Sequence, residues 1–184
     1  MNSAAFIVDG HQEKKFLQKV CPGKTVRILN LNGNSVTSTA IAKRVASLCR
    51  LFHGKYYPIV MWVDREDREA TATEFAAELE AAIRAEGVTD NIVLGVADRA
   101  IENWIFADRE TVRPHCRDDA PYPKQPDGFN GKGKMKKLLA GYHETTIGVS
   151  LLKSCHASRM MMTSLSFKNF CEQLPENDCW WLAR

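Results

Sequence analysis

Long hydrophobic runs are missing from this sequence of 184 residues. No apolar run approaches the ~20 residues needed to span a bilayer, so no membrane partner is expected. The apolar stretch at residues 4–8 is too short for a secretory signal and runs straight into Asp9. A cytoplasmic protein is therefore expected. Any C-x-x-C pair is also missing. The six cysteines are scattered, a pattern that leads us to expect reduced thiols rather than a disulfide framework. His115-Cys116 and Cys155-His156 supply four side chains of zinc-ligand type, but as adjacent residues rather than at the usual spacing. Core or surface positions are the plainer reading. There is no Walker-type G-x-x-x-x-G-K-[ST] loop, no internal repeat and no low-complexity segment. Charge of one sign is scarce too: 25 Lys and Arg stand against 22 Asp and Glu, a net +3. That balance does not by itself indicate nucleic acid.

What is present is an alternation of buried strands and amphipathic helices. Residues 4–8 read as a first strand, followed by a helix from about Gln12 whose apolar face is Phe16, Leu17 and Val20. Residues 25–31 read as a second strand. A helix follows, capped by Ser35 or Thr37 and apolar at Ile41, Val45, Leu48, Cys49 and Phe52. Residues 59–63 form a continuous apolar run, as in a strand buried on both faces. Ala72, Phe75, Ala76, Leu79, Ala82 and Ile83 mark a third helix, and residues 91–96 a fourth strand. The pattern β-α-β-α-β-α-β predicts an α/β fold: a doubly wound, Rossmann-like sheet of about four parallel strands flanked by helices. Residues 1–110 would form this core. Residues 111–184 would add a Pro- and Gly-rich loop and a helical C-terminal part packed on it. A connection as long as 111–131 is either functional or mobile. Near the end, Ser166 is a candidate cap for a helix with Phe167, Phe170, Cys171 and Leu174 inward. Trp180-Trp181 would close the core or face a partner.

The third strand ends in Asp64, Arg65, Glu66 and Asp67. In extended chain Asp64 and Glu66 point the same way. They would then gather at the carboxyl end of a buried strand, where open α/β sheets bind ligands. Such carboxylates repel unless a cation or proton intervenes, and Mg²⁺ is our working expectation. The plainer alternative is a solvated turn with the acids paired to Arg65 and Arg68. Glu13 falls in a first helical turn, where the dipole favours a carboxylate; alternatively, it joins Asp9 at the strand ends. A short helix over residues 98–108 would place Asp98 and Glu102 on one side. Trp104 reads as core. Lys124 and the run Lys132-Gly-Lys-Met-Lys-Lys137 form the densest basic region. It is either a solvated helix face or a phosphate-attracting patch.

Three blocks resemble one family. Ile7-Val-Asp-Gly-His-Gln-Glu13 resembles a V-E-G-x-x-E opening, Val63-Asp-Arg-Glu66 a D-x-D, and Ile101-Glu-Asn-Trp-Ile-Phe-Ala-Asp108 an E-x-W-x-x-A-D. Together with the regions 131–139 and 166–167, they resemble TOPRIM-fold proteins. The likeness is to the small stand-alone relatives of the OLD-family (overcoming lysogenisation defect) nucleases, some of which sit in phage-defence loci. Two positions depart from the pattern: Asp9 stands for Glu, and Glu66 for Asp. The resemblance implies a metal-dependent nuclease acting on DNA or structured RNA. Asp9, Glu13, Asp64, Glu66 and Glu102 would be the catalytic metal ligands for Mg²⁺ or Mn²⁺. Lys134, or next Lys132, would neutralise the scissile phosphate. A separate ATPase chain is implied by analogy. The alternatives are a PIN-type ribonuclease, suggested by Phe6-Ile-Val-Asp-Gly10, and a non-catalytic sensor or adaptor subunit.

Overall fold

A computed structural model describes residues 3–31, 36–175 and 181. The first half alternates as expected: β1 (Ser3–Val8), α1 (His11–Val20), β2 (Thr25–Ile28), α2 (Ser38–Phe52), β3 (Tyr56–Asp64), α3 (Ala72–Ala85) and β4 (Ile92–Ala97). The four strands form one parallel sheet in the order β2-β1-β3-β4. This is a Rossmann-like α/β fold, doubly wound because successive strand side chains feed two separate cores. Phe6, Val8, Val60, Trp62 and Val93 face one core, with α1. Ala5, Ile7, Ile59, Met61, Val63, Leu94 and Val96 face the other, against α2 and α3. Burial on both faces explains why these strands read as unbroken apolar runs.

Several boundaries differ from the sequence expectation, each for a local reason. β2 stops at Ile28 because β1 ends at Val8, its partner there, and Asn30 turns the chain at φ 54°. Thr37 caps α2, its hydroxyl accepting from the Ala40 amide at 3.2 Å; Ser35 lies outside the described residues. The helix expected from Asp98 starts three positions later as α4 (Ile101–Ala107), since Arg99 takes a left-handed φ of 82°. Asp98 therefore does not share a helix face with Glu102; it pairs with Arg65.

The second half continues with α5 (Arg109–Val112), a 3-10 turn, an irregular connection over 116–130, and α6 (Gly131–Leu138). A π-helical turn (Glu144–Gly148) leads to α7 (Val149–Ser154), α8 (Ala157–Thr163) and α9 (Leu165–Cys171). These elements share the α1-side core rather than building one of their own. Its hub is Trp62 on β3. Phe16 stacks on it at 5.9 Å between ring centroids, while Trp104, Phe170 and Trp181 meet it edge-on at 5.7–6.4 Å. Such pairs add to plain area burial. Trp181 thus closes the core, its indole donating to the carbonyls of Leu152 and Cys155; Trp180 lies outside the described residues.

Ser164, not Ser166, caps α9, accepting from the Phe167 amide at 3.1 Å. Ser166 instead accepts from Trp104 Nε1 at 2.9 Å. Cys171 is only half-buried. The connection 116–130 is tied down. Asn103 donates to the carbonyls of Pro126 and Phe129 at 2.6 and 3.0 Å, and Tyr122 to that of Phe106 at 2.8 Å. Cys116 and Cys155 are buried, their thiols facing backbone carbonyls. Cys21 is disulfide-bonded, which corrects the expectation of reduced thiols throughout. Sequence spacing reveals only local pairs, whereas disulfide partners meet through the fold.

Gly95 of β4 passes directly beneath the aromatic hub. A Cβ there would lie 2.8 Å from a Phe170 ring atom and 2.9 Å from Trp62. Overpacking of this kind costs about 1–3 kcal/mol. Gly95→Ala should therefore lower the urea-unfolding free energy by that amount; an unchanged midpoint would show that the hub yields freely.

Candidate functional site

The connection after β1 leaves toward β2, and the one after β3 leaves toward β4. Between adjacent strands whose connections diverge, a crevice opens at their carboxyl ends. Asp9 follows β1 immediately and Asp64 ends β3. The Asp9 amide donates to the Trp62 carbonyl at 3.1 Å, so the sheet pairing itself sets the two carboxylates side by side. Helix α1 starts within the crevice and supplies Gln12 and Glu13; α4 supplies Glu102. One cleft is lined by Asp9, Gln12, Glu13, Asp64, Glu66, Glu102, Lys132 and Glu144, with Gly10, His11 and Leu31. All five acids expected from the sequence thus face one cleft, and Glu144 is a sixth.

Glu66 arrives there by a route the sequence did not suggest. The chain does not stay extended past Asp64: Glu66 has φ 55° and its amide donates to the Arg99 carbonyl at 2.8 Å. Strained backbone of this type clusters at functional turns. Arg65 points away, buried, pairing with Asp98 and donating to the carbonyls of Arg68 and Ala70. Arg68 packs over the Phe75 ring at 4.3 Å and approaches Glu66 at 4.0 Å. The solvated-turn alternative therefore holds for Glu66 in part. It does not hold for Asp64, which forms no ion pair among the described residues.

Ionisation is opposed at four of these carboxyls. Burial, reinforced by the charge of Glu66, raises the Asp9 carboxyl to about 6. Burial raises Glu13 to about 7, aided by the charges of Asp9 and Glu102 and offset by backbone amides. One of those amides is Gly10 N, 3.0 Å from Glu13 Oε2, so Glu13 serves both of its expected roles, as a cap and as a cleft acid. Asp64 is raised well above the usual range, by burial first and then by Glu13, Asp9, Glu102 and Glu66. Glu102, only 2% exposed, is raised by burial against the opposing hydrogen bond from Tyr142 at 2.8 Å. Lys132 differs: burial opposes its charge, but Glu144 at 2.8 Å and the fields of Glu102 and Asp64 hold its pKa above the usual value.

Lys134 does not line this cleft; Lys132 does. The two lie two positions apart on α6, which places them on nearly opposite faces of the helix. Missed by sequence reasoning were Gln12, Tyr142 and Glu144. Gln12 had a usable signal, since it lies inside the first motif; the other two follow α6 in a stretch without pattern. Among the described residues no group of three or more His, Cys, Asp or Glu side chains is placed so that it could hold a metal ion. The donors are all hard oxygens, and Mg²⁺ is usually held by one or two carboxylates while keeping several waters. The donor type therefore suits such an ion, although no ligand group for it is assembled among the described residues.

Residues 8–175 match the family described as a domain of unknown function, DUF4276. The chain belongs to the DUF4276 family. No curated protein and no solved structure matches it. In this DUF4276 chain the matched region begins at the last residue of β1, so it contains the whole cleft.

A carboxyl raised on folding keeps its proton longer in the folded than in the unfolded state. Stability is then full below the unfolded value and is lost as pH rises through the folded one. The windows run from 3.8 to about 6 for Asp9 and from 4.5 to about 7 for Glu13. Without divalent cations, the unfolding free energy should fall by about 4 kcal/mol between pH 5 and 7.5. Asp64→Asn should flatten that slope and stabilise the protein at pH 7.5. Urea titrations across this range check both; a stability that rises with pH would contradict the electrostatics described.

Proposed function

We propose that this chain is a divalent-metal-dependent nuclease of TOPRIM type, hydrolysing phosphodiester bonds in DNA or structured RNA. The observation that carries the reading is the crowding of Asp9, Glu13, Asp64, Glu66, Glu102 and Glu144 into one cleft. There, burial and mutual repulsion raise four of the six carboxyls. Such a cluster is costly to keep for stability alone, and a bound cation relieves it. Asp9, Asp64 and Glu102, with Glu13 and Glu66, would hold Mg²⁺ or Mn²⁺. The ion would supply Lewis-acid polarisation of the scissile phosphodiester.

Lys132, the lysine at the cleft rim, would neutralise a non-bridging phosphate oxygen, taking the role first assigned to Lys134. Lys136 lies one helical turn beyond it on the same face and is exposed. The two extend positive charge away from the acids, as a polyanion passing over the cleft requires. The place of this activity in anti-phage defence, its cytoplasmic setting and the need for a separate ATPase chain rest on the resemblance to OLD-family nucleases.

One observation favours the alternative of a non-catalytic sensor or adaptor: among the described residues no group of three or more acids or other ligands is placed to hold a metal ion. Incubation with plasmid DNA and with total tRNA, in Mg²⁺ or Mn²⁺ against chelator, separates the readings. Cleavage is expected with metal and none with chelator. Asp64→Ala should abolish cleavage with the fold intact by circular dichroism. No cation binding by calorimetry, together with no cleavage of either substrate, would favour the adaptor. Full activity in Asp64→Ala would reject the site.

A further inference from the structure

Glu144, which lines the cleft, belongs to a segment, residues 142–148, that the sequence did not single out. Three contacts link this segment to the cleft. The Tyr142 hydroxyl donates to Glu102 Oε1 at 2.8 Å in a buried contact. Glu144 Oε1 lies 2.8 Å from Lys132 Nζ. Gly148 leaves the room both neighbours need: a Cβ there would sit 2.6 Å from Tyr142 Oη and 2.8 Å from Gln12 Nε2. That amide nitrogen is buried, and among the described residues it neighbours the Tyr142 hydroxyl, on whose ionisation it acts. It therefore lies beside the phenol oxygen, whose proton is committed to Glu102.

We infer that the segment 142–148 is the positioning element of the cleft, with Tyr142 orienting Glu102 for cation binding and Glu144 orienting Lys132 toward phosphate. This inference rests on the proposed function. With Oε1 engaged by Tyr142, Glu102 presents its other oxygen to the cleft in one orientation. Glu102 is a first-turn residue of α4 and only 2% exposed, so no water-exposed rotamer competes. Donors that orient metal-binding groups in this way typically contribute about 10- to 100-fold in affinity when removed. Tyr142 and Glu144 touch the residues that act; they do not touch the phosphate themselves.

The test is Mn²⁺ titration of the full chain at pH 7.5, read from the electron paramagnetic resonance signal of free Mn²⁺. Tyr142→Phe keeps the ring and should weaken binding about 10- to 100-fold. Tyr122→Phe is the control: it also removes a partly buried hydroxyl that donates at 2.8 Å, but to the Phe106 carbonyl. It should bind like wild type while showing a similar change in urea midpoint. Equal affinity of Tyr142→Phe and wild type would overturn the inference and leave the nuclease reading standing. No Mn²⁺ binding by wild type would overturn both.

Glu144→Gln gives a second readout that does not depend on Tyr142 variants folding. Removing a negative charge should tighten binding of a polyanion by Coulomb attraction alone. A positioning role predicts the reverse, roughly threefold weaker retention of a short labelled DNA duplex at low salt. Tighter or unchanged retention would remove Glu144 from the proposal.

Discussion

Pairing of β1 with β3 is the constraint on which the cleft depends. Hydrogen bonds in register from Ala5–Ile59 to Val8–Trp62 leave the next residues of both strands no choice of neighbour. Asp9 and Asp64 are set side by side by backbone geometry, not by attraction, which between two carboxylates is negative. The departing connections then diverge, so no loop fills the space between them. Glu13 and Glu102 enter from first turns of α1 and α4, where the helix dipole offsets part of the like-charge repulsion. The cleft is therefore assembled by rigid elements against its own electrostatics, which is what a pre-organised cation or phosphate site requires.

Holding charge in that arrangement needs stiffness nearby, and the α1-side core supplies it. Trp62 occupies the register position next to the cleft on β3, and the rings of Phe16, Trp104, Phe170 and Trp181 lock it. Among the described residues its own indole N–H has no oxygen or nitrogen partner, a cost set against the packing of the rings around it. A second lock sits farther out. Asp108, fully buried, accepts from Nε and Nη2 along one edge of the Arg159 guanidinium, from the His156 amide and from Thr111. These bonds outweigh burial and hold its carboxyl below the usual range. The two clusters divide the acids by physics: the carboxylate with cationic and amide donors is held below the usual range, and the carboxyls facing one another are raised above it.

The block from Ile101 to Asp108 shows how one short helix performs several tasks. Glu102 turns to the cleft, Asn103 holds the 116–130 connection, Trp104 joins the aromatic hub, and Asp108 ends the helix in the Arg159 clasp. Every residue of α4 is buried, so this helix has no solvated face. A reading by helical stripes could not separate these roles, because each side of the helix meets a different partner.

Local sequence determined the strands, the three crossover helices and the parallel sheet, because burial on both sheet faces and amphipathic spacing leave a periodic record in the chain. It also determined which acids lie at strand ends and first turns, since Asp9, Glu13, Asp64 and Glu102 stand next to their elements. Only the tertiary structure decided that Lys132 rather than Lys134 reaches the acids, that Arg65 pairs with Asp98, and that Tyr142 and Glu144 contact Glu102 and Lys132. The Arg65–Asp98 pair depends on β3 lying beside β4, and the other outcomes on the angle at which α6 and the π-helical turn pack on α1 and α4. That angle is set by side chains distant in sequence, and no local pattern encodes it.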